Sequence, residues 1–413
     1  MLSSLSQELL NTPEGVEAQQ ILRACVHCGF CLATCPSYQI TGNELDSPRG
    51  RIYQIKSMME GNPTTPETRL HLDRCLTCLA CETTCPSGVR YGRLLEIGRS
   101  EVIKRAQRPP LERILRWTLA RTLGNSKLFS PLLSLAQRAR PLMPARIKSR
   151  VPAILPPIPW PEPAAAEKSV LVLEGCVQSS LAPNINSSTA GLLSRLGYQV
   201  LRMPKAECCG ALAHHLDQEE LAVKTRRQNM DAWWPLVESG LSAIVISASA
   251  CSLEVKSYAS LHANDPEYGH KAERISALAL DVSELLTNHR EQLARLVGGQ
   301  PAATAIAFQA PCTLQHGLKN KDGVPRLLEA CGAQLTPVPE SHLCCGSSGT
   351  YSLLQPKISG ALRTRKLAAL QSGSPQLILT ANVGCMSHLA AESEIPIQHW
   401  VEWLYGRVSS SQA

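Results

Sequence analysis

Aromatic residues are scarce in this chain, 4% of 413 residues, so any core it builds must be aliphatic. A run of 18 or more apolar residues is missing. The longest candidates, around Leu241–Ala250 and Gln376–Val383, are too short for a membrane-spanning helix. The opening residues, MLSSLSQELL, have neither a basic start nor a long apolar stretch. No secretory signal is therefore expected, and the chain reads as cytoplasmic. No G-x-G-x-x-G follows a strand-like run, so hydride chemistry on a dinucleotide belongs to another chain. Basic runs interleaved with aromatics are absent too, which argues against nucleic acid.

Cysteine is abundant instead, at 17 residues. Disulfide-dense scaffolds are usually small and secreted, whereas this chain is long enough for two or three domains. Cysteines at short fixed spacings in such a chain point to metal. Hydrophobic residues make up 44%, enough to bury real cores. The net charge of +7 is uneven. Residues 101–150 hold twelve Lys or Arg and two acids, which leaves the remainder at −3.

The first eight cysteines form one pattern stated twice: Cys25-x2-Cys28-x2-Cys31-x3-Cys35-Pro36 and Cys75-x2-Cys78-x2-Cys81-x3-Cys85-Pro86. This is the bacterial-ferredoxin spacing. Three thiolates wrap three corners of one cubane, and the fourth, followed by proline, points to the other. The expected ligand sets are Cys25, Cys28, Cys31 and Cys85 for one 4Fe–4S cluster, and Cys75, Cys78, Cys81 and Cys35 for the second. Structural zinc needs paired C-x2-C knuckles and not this triple spacing. His27 and His71 read as neighbours that bond locally or tune potential, since the cysteines already complete the ligand count. Ser47-Pro48-Arg49-Gly50-Arg51 reads as a helix start, with serine capping and proline in the first turn.

The last 246 residues contain a repeat. KSVLVLEGC (Cys176), ECCG (Cys208, Cys209) and AIVISASAC (Cys251) are matched by ATAIAFQAPC (Cys312), LCCG (Cys344, Cys345) and QLILTANVGC (Cys385). In both copies 31 residues separate the first cysteine from the pair; 41 and 39 separate the pair from the last. Short apolar runs ending at cysteines read as buried strands, and TAGLLSRLG and VPRLLEACG as helices stopped by glycine. Each half is expected to be β-α-β-α-β with a parallel, Rossmann-like sheet. The motif cysteines then lie at the carboxyl ends of strands, where open α/β sheets bind ligands. The expected fold is thus an α-helical ferredoxin-like domain carrying two clusters, residues 1–100, and two repeated Rossmann-like halves, residues 168–296 and 297–413. Between them lies a basic amphipathic segment with a proline-rich semi-rigid linker, residues 101–167. Cys331 matches neither motif and reads as core.

These features together resemble the family of iron–sulfur subunits of glycolate oxidase. The resemblance is carried by ILRACVHCGFCLATCPSYQ, ELDSPRGRIYQIK, HLDRCLTCLACETTCPSGVRYGRLLEIGR, LEGCVQSSLAPN, DAWWP, PCTLQHG, SHLCCGSSGTY and TANVGC. It covers nearly the whole chain and is weakest over residues 101–167. The chain is similar, less closely, to the iron–sulfur subunits of D-lactate and anaerobic glycerol-3-phosphate dehydrogenases and to the CCG subunit of heterodisulfide reductase. The resemblance implies that FAD-containing partner subunits oxidise glycolate or another 2-hydroxy acid. This chain would relay the electrons toward membrane quinone, with peripheral contact at the inner face of the membrane. In the heterodisulfide reductase subunit each CCG domain ends in C-x-x-C. Here the first cysteine of that pair is replaced by Ala248 and Asn382. Each half keeps four: Cys176, Cys208, Cys209, Cys251, and Cys312, Cys344, Cys345, Cys385. These sets leave three readings open: a further cluster or metal, the lining of an acceptor site, or reduced thiols in a structural crevice. His214, His215, His316, His342 and His388 stand near the motifs, as local bonding groups or as a proton donor to a reduced acceptor. LERILRWTLARTL is amphipathic with arginines, suited to anionic lipid, to a flavin subunit, or to a solvated face.

Overall fold

The computed structural model describes residues 3–144, 148, 151–162, 165–203, 208–299 and 301–410. Arg146 and Arg150 of the basic segment lie outside the described residues. The N-terminal region is helical. Three helices dominate it: α1 (Pro13–Ala24), α2 (Pro48–Met59) and α3 (Tyr91–Arg105). The Ser47 side chain accepts from the Gly50 amide and Pro48 stands in the first turn of α2, as its sequence implied. Apolar positions at helical spacing, Ile52, Ile55 and Met59, face Leu22, Leu72 and Leu94 in one buried cluster. Gly98 of α3 lets the helices close up, because a Cβ there would stand 2.7 Å from Ile55.

Helices α4 (Pro110–Leu123) and α5 (Ser126–Ala139) follow as a hairpin. The proline-rich run then lies along the first repeat. The Ile158 amide donates to Asn184 at 2.9 Å, and Arg202 covers Trp160 at 4.6 Å. No helix among the described residues is long and apolar enough to cross a membrane.

The first half contains strands β1 (Lys168–Leu173), β2 (Tyr198–Arg202), β3 (Ala243–Ile246) and β4 (Ala279–Asp281). Its main helices are α6 (Pro183–Arg195), α7 (Glu219–Glu238) and α8 (Ser249–Lys256). The second contains β5 (Ala305–Gln309), β6 (Gln334–Leu335), β7 (Leu377–Thr380) and β8 (Ile397–His399), with α9 (Gly323–Ala330), α10 (Pro356–Gln371), α11 (Val383–Ala390) and α12 (Trp400–Ser410). Both sheets are parallel, in the order β2-β1-β3-β4 and β6-β5-β7-β8. The α/β class and the repeat are as expected, but three strands per half was an undercount. The fourth strand is three residues long in each half, too short to leave an apolar run. Helices α6 and α9 run out just before Gly197 and Gly332, which hold φ +86° and +87°, a conformation glycine adopts without strain.

Strand alternation explains how the halves join. Val170, Val172 and Val245 point into a core shared with Ile306, Phe308 and Leu379 of the other half. Leu171, Leu173 and Ile244 point the opposite way, toward Trp233. Parallel strands buried on both faces need such continuous aliphatic runs. Helix α12 completes the join by lying on α6, where a Cβ on Gly191 would meet the Tyr405 ring at 2.4 Å. Cys331 is fully buried in the shared core.

Candidate functional site

The two ferredoxin-type loops fold alike. His27 and Thr77 precede the middle cysteine of each loop, Gly29 and Leu79 follow it, and all four hold positive φ, at 56°, 51°, 85° and 61°. Alternating left- and right-handed residues turn successive amides inward and make a concave nest for an anionic group, as at many iron–sulfur sites. A β-branched threonine at positive φ is a strained choice, on the order of 1–3 kcal/mol, and such strain concentrates at functional sites. Nothing in the cysteine spacing announced it. The Thr77 amide donates toward Cys75 Sγ at 3.5 Å and the Tyr91 hydroxyl at 3.6 Å.

The thiols fall into two adjoining neighbourhoods. Cys25 interacts with Cys85 and Cys28, and Cys31 with Cys25 and also with Cys35 of the other neighbourhood. Cys78 interacts with Cys75 and Cys35; Cys81 interacts with Cys78, Cys75 and Cys35. A small cavity is bordered by Cys25, Cys28, Cys31, Cys81 and Cys85. Burial pushes the Cys31 thiol up to about 11 and raises Cys25, Cys78 and Cys81 as well. Thiolates here need a compensating positive centre, as a metal cluster provides. Among the described residues no three His, Cys, Asp or Glu side chains converge on a single-ion site. A cubane is wider than an ion, and its thiolates surround it without converging on a point. The donor set, the amide nests and the burial all fit such a group.

A charged network that the sequence did not announce supports the second loop. Asp46, fully buried, takes His71 Nδ1 at 2.8 Å and Arg74 at 3.1 Å. Arg51, 1% exposed, donates to the His71 carbonyl at 2.7 Å and to Ser37 Oγ at 3.0 Å, while Ser37 Oγ stands 3.3 Å from Cys35 Sγ. His71 is therefore a structural neighbour of the cysteines, and Arg51 places a guanidinium beside Cys35 and Cys75. Gly50 allows this helix entry, since a Cβ would sit 2.0 Å from the Glu44 carbonyl.

The repeat cysteines gather as their strand ends implied. All eight, Cys176, Cys208, Cys209, Cys251, Cys312, Cys344, Cys345 and Cys385, line one cavity of about 2210 Å³ between the two halves and the N-terminal region. That exceeds a usual small-molecule site. The CCG turns are superimposable in kind. Gly210 and Gly346 hold φ +99° and +91°, and each amide donates to the first cysteine of its pair, Cys208 or Cys344, at 3.4 Å. Cys312 Sγ lies 3.9 Å from Cys344 Sγ. Asn382 takes another role where a fifth thiol is missing. Its Oδ1 caps α11 through the Gly384 amide, and its Nδ2 donates to Ser249 Oγ of the other half. Ser249 Oγ also pairs with Thr313 Oγ1 at 2.7 Å.

The rings of His214, His316 and His388 are each hydrogen-bonded. His316 lies between Thr83 and the His342 carbonyl, both at 3.0 Å, and His388 meets Ser359 at 3.3 Å. His214 pairs with Glu219 at 2.7 Å, while His214, His215 and Glu254 also line the cavity. Lys366, 3% exposed, donates to the Glu340 and Ser341 carbonyls and faces all four thiols of the second half.

Residues 21–89 match the 4Fe–4S dicluster domain family, and residues 170–256 and 306–390 each match the cysteine-rich CCG domain. The chain is 46% identical over 402 residues to the glycolate oxidase iron-sulfur subunit of Escherichia coli K12, covering 97% of this chain and 98% of that protein. It belongs to the glycolate oxidase iron–sulfur subunit family. A probable glycolate oxidase iron-sulfur subunit of Bacillus subtilis is 28% identical over 88% of this chain and 87% of its own. Lactate utilization protein A of Geobacillus thermodenitrificans is 26% identical over 52% of this chain and 87% of its own. For a member of this family the twin loops are the expected cofactor site, and the shared cavity is the feature that cysteine spacing alone does not convey.

Proposed function

We propose that this chain relays electrons within a glycolate-oxidising complex. FAD-containing partners would convert glycolate to glyoxylate, and this chain would pass the electrons toward membrane quinone from the cytoplasmic side. Cys25, Cys28, Cys31 and Cys85 would hold one 4Fe–4S cluster, and Cys75, Cys78, Cys81 and Cys35 the other. Bound clusters supply one-electron storage between a two-electron flavin and the next acceptor. In this reading residues 1–100 are the cluster domain, 101–167 the connector, and 168–296 and 297–413 the CCG domains. The observation that carries it is the seam around Cys78. Leu76, Cys78 and Ala80 pack with Cys344, Tyr351 and Leu362, with Cys312 against them. The Ser348 hydroxyl and Tyr351 hydroxyl donate to the Leu76 and Arg74 carbonyls at 2.8 and 3.0 Å. The second loop and the second set of cysteines are thus held together in a dry contact, with the cavity beyond.

A second reading places acceptor reduction, of a quinone or a disulfide, inside this chain. The shared eight-cysteine cavity favours it. The two readings are compatible if the acceptor enters that cavity.

Anaerobically purified protein is expected to contain about eight irons and eight sulfides; fewer than about six irons in intact protein overturns the two-cluster assignment. Cys35→Ser is expected to remove the paramagnetic signal of the cluster built mainly by Cys75, Cys78 and Cys81. Damage confined to the cluster at Cys25, Cys28 and Cys31 would show the pairing to be wrong. Reduction of the assembled complex by D-lactate or glycerol-3-phosphate in place of glycolate would reassign the substrate.

A further inference from the structure

The hairpin of α4 and α5 takes no part in the contacts described so far, apart from its inner edge. On that edge Arg116 and Ala120 are buried. Its outer face carries a row of exposed apolar side chains. Among the described residues, ten of the seventeen exposed large apolar side chains fall between Leu111 and Leu155. Leu111, Ile114 and Leu115 form a stripe on α4; Leu128, Leu132 and Leu135 form one on α5, a helix with no buried residue. Both stripes keep helical spacing.

The exposed charges of the hairpin have one sign. Arg113, Arg121, Lys127 and Arg138 are exposed. The one carboxylate on the two helices, Glu112, is bonded to Arg108 and Arg116 at 2.7 and 3.0 Å. The Arg121 guanidinium stands 4.7 Å above Trp117. Each helix has 14 residues, about 21 Å, too short to span a bilayer but suited to lying in its surface. A protein-docking face is usually rich in aromatics with both signs of charge at its rim and few lysines in its centre. Aliphatic stripes flanked only by cations suit anionic lipid better.

The position of the hairpin adds a consequence. Leu123 and Phe129, on either side of its turn, line the cavity that holds the eight repeat cysteines, together with Ile103 and Leu181. The apolar surface and the cavity wall are continuous there.

We propose that the α4–α5 hairpin seats the protein on an anionic lipid surface and sets the cysteine-lined cavity open beside it, so that a lipid-dissolved acceptor enters without crossing bulk water. The seating stands on the hairpin alone; the entry of an acceptor rests on the function proposed above. The test is sedimentation of the full chain, prepared anaerobically, with vesicles of phosphatidylcholine alone or containing one-third phosphatidylglycerol. Binding is expected on the anionic vesicles and should weaken steeply with salt. Leu132→Glu with Leu135→Glu should reduce it about tenfold or more, and Arg113→Gln with Lys127→Gln and Arg138→Gln should abolish the preference for anionic lipid. These positions are exposed, so unchanged melting and iron content would verify folding. Equal weak binding to both vesicles, or wild-type binding by the double glutamate variant, overturns the proposal. So does loss of co-purifying flavoprotein in that variant with vesicle binding intact, which assigns the face to a protein partner. Vesicle binding with no quinone reduction by the dithionite-reduced, vesicle-bound protein leaves the seating in place and overturns the entry of an acceptor at the cavity.

Discussion

The second CCG half meets the N-terminal region through an apolar, cysteine-containing cluster rimmed by neutral hydrogen bonds, whereas the first meets it through ion pairs. On the second side Cys78 and Cys344 share a cluster with Tyr351, Ile358 and Leu362. On the first, Asp217 is tied to Asp73 by Arg108 and Arg116. The halves also differ in their buried cations. Arg226 in the first is bonded to Glu219 and Glu254, both at 3.0 Å. Lys366 in the second meets carbonyls and, among the described residues, no carboxylate within ion-pair reach. Two copies of one frame are thus equipped differently: a dry contact and an uncompensated cation where electrons would arrive, and a neutralised, ionically anchored site across the cavity.

The largest way to break this contrast is Arg108→Ala. Its side chain is 4% exposed and bridges Asp73 and Asp217. Burial alone would raise the Asp73 pKa, but Arg108 and Arg116 hold it below the usual carboxylate range. Removing Arg108 leaves Arg116 alone among Asp73, Glu112 and Asp217, an expected loss of about 3–5 kcal/mol. A denaturant titration should show it with iron content unchanged. Equal loss of iron would mean that the ionic anchor also shapes the cluster loops.

Next in size is Leu362→Ala in the dry seam. Leu362 is 1% exposed, and such truncation costs roughly 2–4 kcal/mol through transfer and cavity formation. Unlike Arg108→Ala, it should also slow electron delivery from the dithionite-reduced protein to a quinone analogue, because the contact beside Cys78 loosens. Stability loss with an unchanged rate would remove the functional half of the comparison.

Lys366→Met should do the reverse. It removes the cation facing Cys312, Cys344, Cys345 and Cys385 while keeping the side-chain volume. A buried unit charge at several ångströms is worth on the order of 2 kcal/mol to a negative charge near it, so acceptor reduction should fall roughly tenfold or more. Melting temperature should hold or rise, since burial already lowers the lysine pKa and outweighs the help of the thiols. The corresponding change in the first half, Arg226→Met, strands Glu254 and should cost stability first. Equal behaviour of the two variants would erase the asymmetry.

Much of this frame was legible in the residues. The repeat appeared through cysteine spacing, the strand ends through apolar runs, and the helix stops through Gly197 and Gly332. Three things did not appear. Strands β4 and β8, ALD and IQH, are too short for periodicity to register. Strand β6 shrinks to two residues because QLTPVP carries prolines that cannot donate to a ladder. The arginines of the basic segment looked alike in sequence, yet Arg108 and Arg116 are buried in ion pairs while Arg113 and Arg121 face outward. Which arginine is which depends on where Asp73 and Asp217 arrive in space, and local sequence holds no record of that. The same reason hid Arg51 and Asp46 beside Cys35.

The smallest effect is a pH dependence in the first half. His214 in the first half is paired with Glu219, while His388 in the second faces the Ser359 hydroxyl. Burial opposes the His214 charge, but Glu219 and Glu254 raise its pKa above 6.5. Stability from this histidine is therefore complete below the unfolded pKa and is lost as pH rises through the raised value. Burial likewise works against ionised Glu219, yet His214 and Arg226 bring its pKa down to about 2. Its share is present above the ordinary value of 4.5 and fades as pH falls toward 2. The pair is thus strongest between about pH 4.5 and 6.5. Glu219 is 57% exposed at its side chain, so the gain is that of a surface pair, under about 1 kcal/mol. His214→Gln should lower the melting temperature most near pH 5.5 and less on either side. A flat difference for His214→Gln would mean that the histidine is held by its packing and not by its charge.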